Sequence, residues 1–226
     1  VRVRAAASLA GYQDLPLDDE HKKTVAAANE EYLASILSRP DQWGSHYNMG
    51  NYHLDRRDFK QAVASYDIAL KLEPRAVLAM VNESMAYARM GENKKADESL
   101  KKALKVAPDN AAANFNMGLL KAEQNDPKQA ETYLRKAIKA DPQMAQAAYN
   151  LCIITSKDRI SEAVSWCRKA TELRPQEPKY GFTLAYYLNR KGDRDEAIET
   201  LKEIVKQYPG FKDAEVLLQE ISSGKQ

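Results

Sequence analysis

The chain of 226 residues has little of what punctuates irregular folds or staples small ones: nine glycines, nine prolines and two cysteines. Hydrophobic residues reach 44% and charged residues 29%. That balance excludes a disordered tail and describes a folded, helix-rich protein. Cys152 and Cys167 are too few for a disulfide framework and have neither a CxxC nor a CxxCH spacing, so no haem is covalently attached to this chain. No stretch approaches the apolar length of a spanning helix, so membrane insertion is not expected. The 34 basic and 32 acidic residues nearly cancel, to a formal charge of +2. No run of like charges is present that would follow a phosphate backbone, and nucleic acid is not an expected partner.

Chemistry-bearing patterns are equally scarce. There is no glycine-rich phosphate loop and no nucleophile elbow, so the chain is read as having no catalytic residue and as not being an enzyme. His46 and His53 lie seven residues apart on one predicted helix but have no third ligand beside them, and no metal or cofactor is expected. A signal peptide's apolar core is absent from the start. The chain begins at Val1 instead of Met, which suggests a processed product or a fragment of something longer.

What the sequence does contain is periodicity. Prolines fall at Pro40, Pro74, Pro108, Pro142, Pro175 and Pro209, at spacings of 34, 34, 34, 33 and 34 residues. Twelve residues before each stands Ala28, Ala62, Ala96, Ala130, Ala163 or Ala197, and five before stands Ser35, Ala69, Ala103, Ala137, Ala170 or Ile204. Two helices joined by a short turn cross closely only where facing side chains are small, so these positions mark a contact seam. The proline stops the second helix of each pair. Between the two small positions lies a bulkier one, at Tyr32, Tyr66, Leu100, Leu134, Cys167 and Leu201, which fills the gap between hairpins.

The period and register resemble those of the tetratricopeptide repeat, with Met49-Gly50, Ala62, Tyr66, Ala69 and Pro74 in one unit and Met117-Gly118, Ala130, Leu134, Ala137 and Pro142 in another. The resemblance implies an all-α, right-handed α-solenoid of helical hairpins. Five repeats are expected at 43–76, 77–110, 111–144, 145–177 and 178–211, each with a first helix A and a second helix B. Asp58, Asp126 and Asp193 are expected to cap the B helices, with Pro127 at a first helical position. The fourth repeat is one residue short, which predicts a tighter or distorted turn around Ser156 to Arg159. The second repeat places Glu83 at a usually apolar position and Ser84 where glycine or alanine is usual. Glu83 is either a paired, semi-buried carboxylate or a local error of frame. Cys152 and Cys167 fall in the two helices of the fourth repeat, as small core residues or as a disulfide.

At the ends, residues 18–42 carry half a repeat as an N-terminal helix, in phase with the later B helices. The stretch from Phe211 to Ile221, with Phe211, Ala214, Val216, Leu217, Leu218 and Ile221, reads as an amphipathic capping helix, and 212–226 is taken as capping helix and tail. Residues 1–17 are expected to hold a helix remnant, Val1-Arg2-Val3-Arg4-Ala5-Ala6-Ala7-Ser8-Leu9-Ala10, that resembles the second helix of a HEAT repeat, followed by a loop. That combination is similar to the C-terminal region of bacterial multihaem cytochrome c proteins, which implies a periplasmic or cell-envelope location and an upstream haem domain.

The family resemblance also implies a concave face lined by the A helices, hence a scaffold for an extended peptide or partner protein, possibly another region of a parent chain. The expected groove residues are Tyr47, Phe115, Tyr149 and Phe182, in register with Val81; Asn51, Met85, Leu119, Ile153 and Tyr186; and Asn48, Asn82, Asn116 and Asn150, followed by Thr183. Amides suit a peptide backbone and rings suit its side chains. The same asparagines equally suit hydrogen bonds between neighbouring helices. Co-chaperone repeats that grip a C-terminal carboxylate resemble this chain at Asn51 and Asn82, but use Lys and Arg where Tyr47, Ala112 and Asn116 stand, so that clamp is not expected.

Overall fold

The computed structural model describes residues 17–223, and every regular element among them is an α-helix. The chain divides into two compact units, Val1–Leu120 and Lys121–Gln226. The first unit holds α1 (Asp19–Ile36), α2 (Trp43–Asp55), α3 (Phe59–Leu72), α4 (Val77–Arg89), α5 (Asn93–Val106) and most of α6 (Ala111–Glu123). The second holds α7 (Pro127–Ala140), α8 (Ala145–Thr155), α9 (Ile160–Leu173), α10 (Pro178–Lys191), α11 (Arg194–Gln207) and α12 (Lys212–Ser222). The HEAT-like segment lies outside the described residues.

Antiparallel pairs α2/α3 and α4/α5 build the first unit, and α8/α9 and α10/α11 the second, with α12 laid on α10 and α11. The seam residues are why. Ala62, Ala69, Ala96, Ala103, Ala130, Ala137, Ala163, Ala170 and Ala197 are all fully or almost fully buried. Each B helix ends in the same way. The first residue past the helix donates its amide to a seam carbonyl, Glu73 to Ala69 at 2.8 Å and Asp141 to Ala137 at 2.8 Å, and proline follows directly. Ser35 differs: it is in seam register yet exposed, because among the described residues no second helix flanks α1 on that side.

The turns between A and B helices share one geometry. Arg57 (φ 60°), Gly91 (φ 76°), Asn125 (φ 58°) and Gly192 (φ 101°) occupy the left-handed region at equivalent places. The next residue sends its amide back across the turn, Asp58 to His53 and Glu92 to Tyr87, both at 2.9 Å. This is the six-to-one bond that closes a helix with a left-handed residue. The fourth repeat lacks the residue and the geometry: Ser156 stays right-handed, and Arg159 donates instead to Thr155 at 2.9 Å. The missing residue is therefore absorbed by continuing the helical turn.

Two sequence expectations need correction here. Asp58 and Asp126 do cap their helices, accepting from Gln61 and Gln129, but Asp193 makes no cap bond and pairs with Lys191 instead. In α12, Ala214 and Ile221 are buried and Phe211 packs edge-on against Phe182, whereas Val216 points to solvent at 54% exposure. An eleven-residue helix turns its apolar positions through more than one face, and only part of them reaches α10 and α11.

In the first hairpin a small residue on helix A faces a large one on helix B. A Cβ built on Gly50 meets the Tyr66 ring at 2.3 Å, so only glycine admits that fully buried ring. In the fourth repeat the same two positions hold Cys152 and Cys167, and their sulfurs are joined in a disulfide with a Cα–Cα separation of 5.2 Å. In the second unit, Arg135 and Glu131 on α7 form an ion-pair network with Glu162 on α9 and Arg159 just before it, and Trp166 donates to Glu162 at 3.1 Å. The guanidinium groups hold both carboxyls below their ordinary range, the Arg159 hydrogen bond being the main cause at Glu131 and the Arg135 hydrogen bond at Glu162.

Two measurements test this packing. Gly50→Ala forces the Tyr66 ring aside and should lower stability by about 1–3 kcal/mol in urea denaturation; an unchanged midpoint would show that the ring yields freely. The disulfide closes a loop of 15 residues in sequence separation, so reductant should remove about 3 kcal/mol. The double variant Cys152→Ala, Cys167→Leu repeats the Ala185 and Leu201 pairing of the fifth repeat, and its melting temperature should not respond to reductant.

Candidate functional site

Helices α2 and α4 place the predicted asparagines side by side, and the tyrosines fix what they do. Asn51 Oδ1 accepts from the Tyr66 hydroxyl at 2.8 Å and from Asn82 Nδ2 at 2.8 Å; Asn82 Nδ2 also donates to the Tyr47 hydroxyl at 3.3 Å. Four side chains from α2, α3 and α4 thus form one network. Burial drives the Tyr66 hydroxyl well above the usual phenol range, so it stays protonated and donates. Each amide has one half committed. Among the described residues the Asn51 amide nitrogen and the Asn82 carbonyl oxygen have no partner and are not fully buried, which leaves a donor and an acceptor next to each other on the A-helix face.

The rest of the asparagine ladder is less uniform. Asn116 and Asn150 fold their nitrogens back onto their own helices, donating one N–H to Ala112 at 2.9 Å and to Gln146 at 2.8 Å, which leaves their carbonyl oxygens and one N–H each to offer. Asn48 is exposed. The asparagines thus bond between helices at Asn51 and Asn82 and within their own helix at Asn116 and Asn150.

The aromatic and apolar row divides likewise. In the first unit, Tyr47, Phe115 and Leu119 are half-buried, Met85 is exposed at 36%, and Val81 is buried and no part of an open face. In the second unit, Ile153 and Tyr186 are exposed at 41% and 43%. Tyr149 stacks on Tyr180 with ring centroids 4.7 Å apart, and its hydroxyl lies 3.4 Å from that of Thr183. Phe182 is half spent against Phe211.

His46 and Asn114 occupy equivalent places and serve the scaffold. His46 Nε2 contacts the Pro40 carbonyl at 2.9 Å, and Asn114 Nδ2 donates to the Pro108 carbonyl at 2.9 Å. Sequence reasoning missed Asn114, although it stands 68 residues after His46, two repeat lengths on. His53 is pushed below its ordinary range by burial, with Asp58 opposing.

Glu83 keeps its register on α4 and is a buried, bonded acid. The Ser99 hydroxyl donates to its carboxylate at 2.6 Å. Burial, with the Asp67 carboxyl nearby, pushes it up to about 6 against the lowering effect of Ser99. The Tyr87 hydroxyl is pushed up to about 12, by burial and then by Glu83.

The sequence matches the Tetratricopeptide repeat family over residues 47–96, 81–145 and 115–178, and again over 181–210. The chain belongs to the tetratricopeptide-repeat family. Among solved structures it is similar to Pseudomonas aeruginosa PilF, at 19% identity over 99% of this chain and 98% of that one, TM-score 0.73. YrrB, described as a TPR protein with an unusual peptide-binding site, matches at 22% identity over 82% of this chain and 96% of that one, TM-score 0.63. MamA of Desulfovibrio magneticus matches at 22% identity over 73% and 93%, TM-score 0.63. At these identities the shared property is the fold. No curated protein matches the chain by sequence.

Glu83 supplies a pH test. An acid whose folded pKa lies above its unfolded one contributes stability that is complete below about pH 4.5 and lost as pH rises through about 6. Glu83→Gln keeps an acceptor for Ser99 without the buried charge. It should stabilise the protein by about 1–2 kcal/mol at pH 7.5, with the gain shrinking towards zero near pH 4.5. A gain that is constant with pH would place the titration elsewhere.

Proposed function

We propose that the chain is a non-catalytic scaffold that binds an extended peptide, or a partner protein through such a segment, along the exposed faces of its A helices. The observation that carries this is the Asn51–Asn82 pair, anchored by Tyr66 and Tyr47 and presenting one amide donor beside one amide acceptor. That is the complement of a peptide backbone, whose N–H and C=O groups alternate along the strand. Half-buried Tyr47 and Phe115 and exposed Met85 offer apolar contact to side chains beside it in the first unit; Tyr149, Ile153, Phe182 and Tyr186 do so in the second. Asn48, Asn116, Leu119 and Asn150 complete the proposed contact set. Membership of the repeat family supports a scaffold, and YrrB, with its peptide-binding site, is a precedent on the same fold.

The Cys152–Cys167 disulfide supports an oxidising compartment, of which the bacterial periplasm is one. A docking role within a multihaem cytochrome draws no support from the family match or from the similar structures.

The test uses the whole chain against an array of random dodecapeptides, with resynthesised hits measured by fluorescence anisotropy. Asn82→Ala and Asn116→Ala each remove an outward carbonyl without stripping the Tyr66 hydroxyl of its acceptor. Each should weaken the hits by roughly 0.5–1.5 kcal/mol at unchanged helicity. Full affinity in the double variant would move the binding face away from these helices.

A further inference from the structure

One turn beyond the amide pair, the A helices of the first two repeats open onto a pocket of about 420 Å³ lined by Leu54, Asp55, Arg57, Phe59, Met85 and Arg89. Leu54 and Asp55 follow Asn51 by three and four residues on α2, and Met85 and Arg89 follow Asn82 by three and seven on α4. Helical spacing therefore sets the pocket on the same side as the amides. Its apolar lining comes from Leu54, Phe59 and Met85. Arg57, Arg89 and Asp55 supply its charged lining, and neither Arg57 nor Arg89 forms an ion pair among the described residues. Unpaired arginines beside apolar surface are suited to a carboxylate, which the fork of the guanidinium meets with paired hydrogen bonds.

Arg57 carries a second, independent mark. Its place in the turn demands a left-handed backbone, at φ 60°, which the equivalent turns give to Gly91, Asn125 and Gly192. A long side chain is strained there, and glycine is not. Strain of this kind clusters at binding sites and ligand clamps.

We propose that this pocket is a specificity site for a carboxylate adjoining an apolar side chain, either an acidic residue next to Leu, Ile, Met or Phe within the peptide or a C-terminal apolar residue with its free carboxylate. The site rests on the peptide-binding reading above and extends it by giving the bound segment a sequence preference and a register. Its lining includes none of the positions through which co-chaperone repeats grip a carboxylate, which here hold Tyr47, Asn51, Asn82, Ala112 and Asn116.

Two arrays of random dodecapeptides separate the sources of the carboxylate: one tethered at the C-terminus, so that only side-chain carboxylates are free, and one inverted to expose the terminal carboxylate. The whole chain should select peptides enriched in Asp or Glu beside an apolar residue on the first array, or peptides ending in an apolar residue on the second. Resynthesised hits should bind the Arg57→Gly, Arg89→Gln variant at least about tenfold more weakly, and Asp→Asn, Glu→Gln or C-terminal amidation of the peptide should cost the native chain as much. Arg57→Gly alone should raise the melting temperature while weakening binding, an outcome that a merely structural arginine would not give. Hits without acidic or C-terminal preference, or hits that the double variant binds at full strength, overturn this proposal alone. Two empty arrays overturn it together with the peptide-binding reading.

Discussion

The close crossing of helix A over helix B is the constraint on which the rest of the structure depends. Two helix backbones approach this near only if one contributes almost no side chain at the contact. The first unit meets that requirement with Gly50 against Tyr66, and the second with Cys152 against Cys167 and with Ala185 in one core cluster with Leu201, all of them buried. The combined volume at each crossing, more than the identity of either residue, is what has to be kept, because a packed interior resists both voids and overfilling. Gly50 with Tyr66 and Cys152 with Cys167 are two solutions to one geometric problem, one by filling the glycine's gap with a ring and the other by a covalent bond.

This constraint explains why so much of the fold is legible in the sequence. A crossing that recurs every 34 residues leaves alanines, a bulky residue and a proline at fixed offsets, and each offset has a physical reason that does not depend on tertiary detail. The shortened fourth turn is equally visible as a missing residue, although not the way it is accommodated, since a continued right-handed turn and a distorted left-handed one need the same count. Where the reading failed, the competing terms were local and nearly equal in energy. Asp193 has a lysine two residues away as well as the helix amides, and a cap bond and an ion pair there differ by less than a sequence pattern can resolve. Val216 sits on a short helix, where rotation through a fraction of a turn exchanges buried for exposed.

The candidate site was legible as a set of residue types and not as a set of bonds. The asparagines at 48, 82, 116 and 150 share one repeat position, yet the structure uses them in different ways, because what each amide bonds depends on whether a tyrosine hydroxyl or a backbone carbonyl lies within reach. Arg57 carried no signal by itself, as an arginine in a polar turn is ordinary. It becomes informative only against the glycines and the asparagine that hold the same left-handed place in other repeats. Asn114 was missed for a related reason: its partner is a carbonyl, which no side-chain pattern records.

Site and crossing are one arrangement in the first repeat. The Tyr66 ring lies where any residue but glycine at position 50 would collide with it, and that placement lets its hydroxyl reach Asn51, the next residue on α2. A leucine there, as in the second, third and fifth repeats, would pack against a small residue but leave the Asn51 carbonyl without its hydroxyl donor. Asn51 would then be held by Asn82 alone, and the outward donor beside Asn82 would be less firmly fixed in direction. An amide that is already oriented binds without the entropy cost of being ordered by its ligand. The glycine–tyrosine choice at this one crossing therefore converts a packing requirement into a preorganised hydrogen-bonding face, directly beside the arginine-lined pocket.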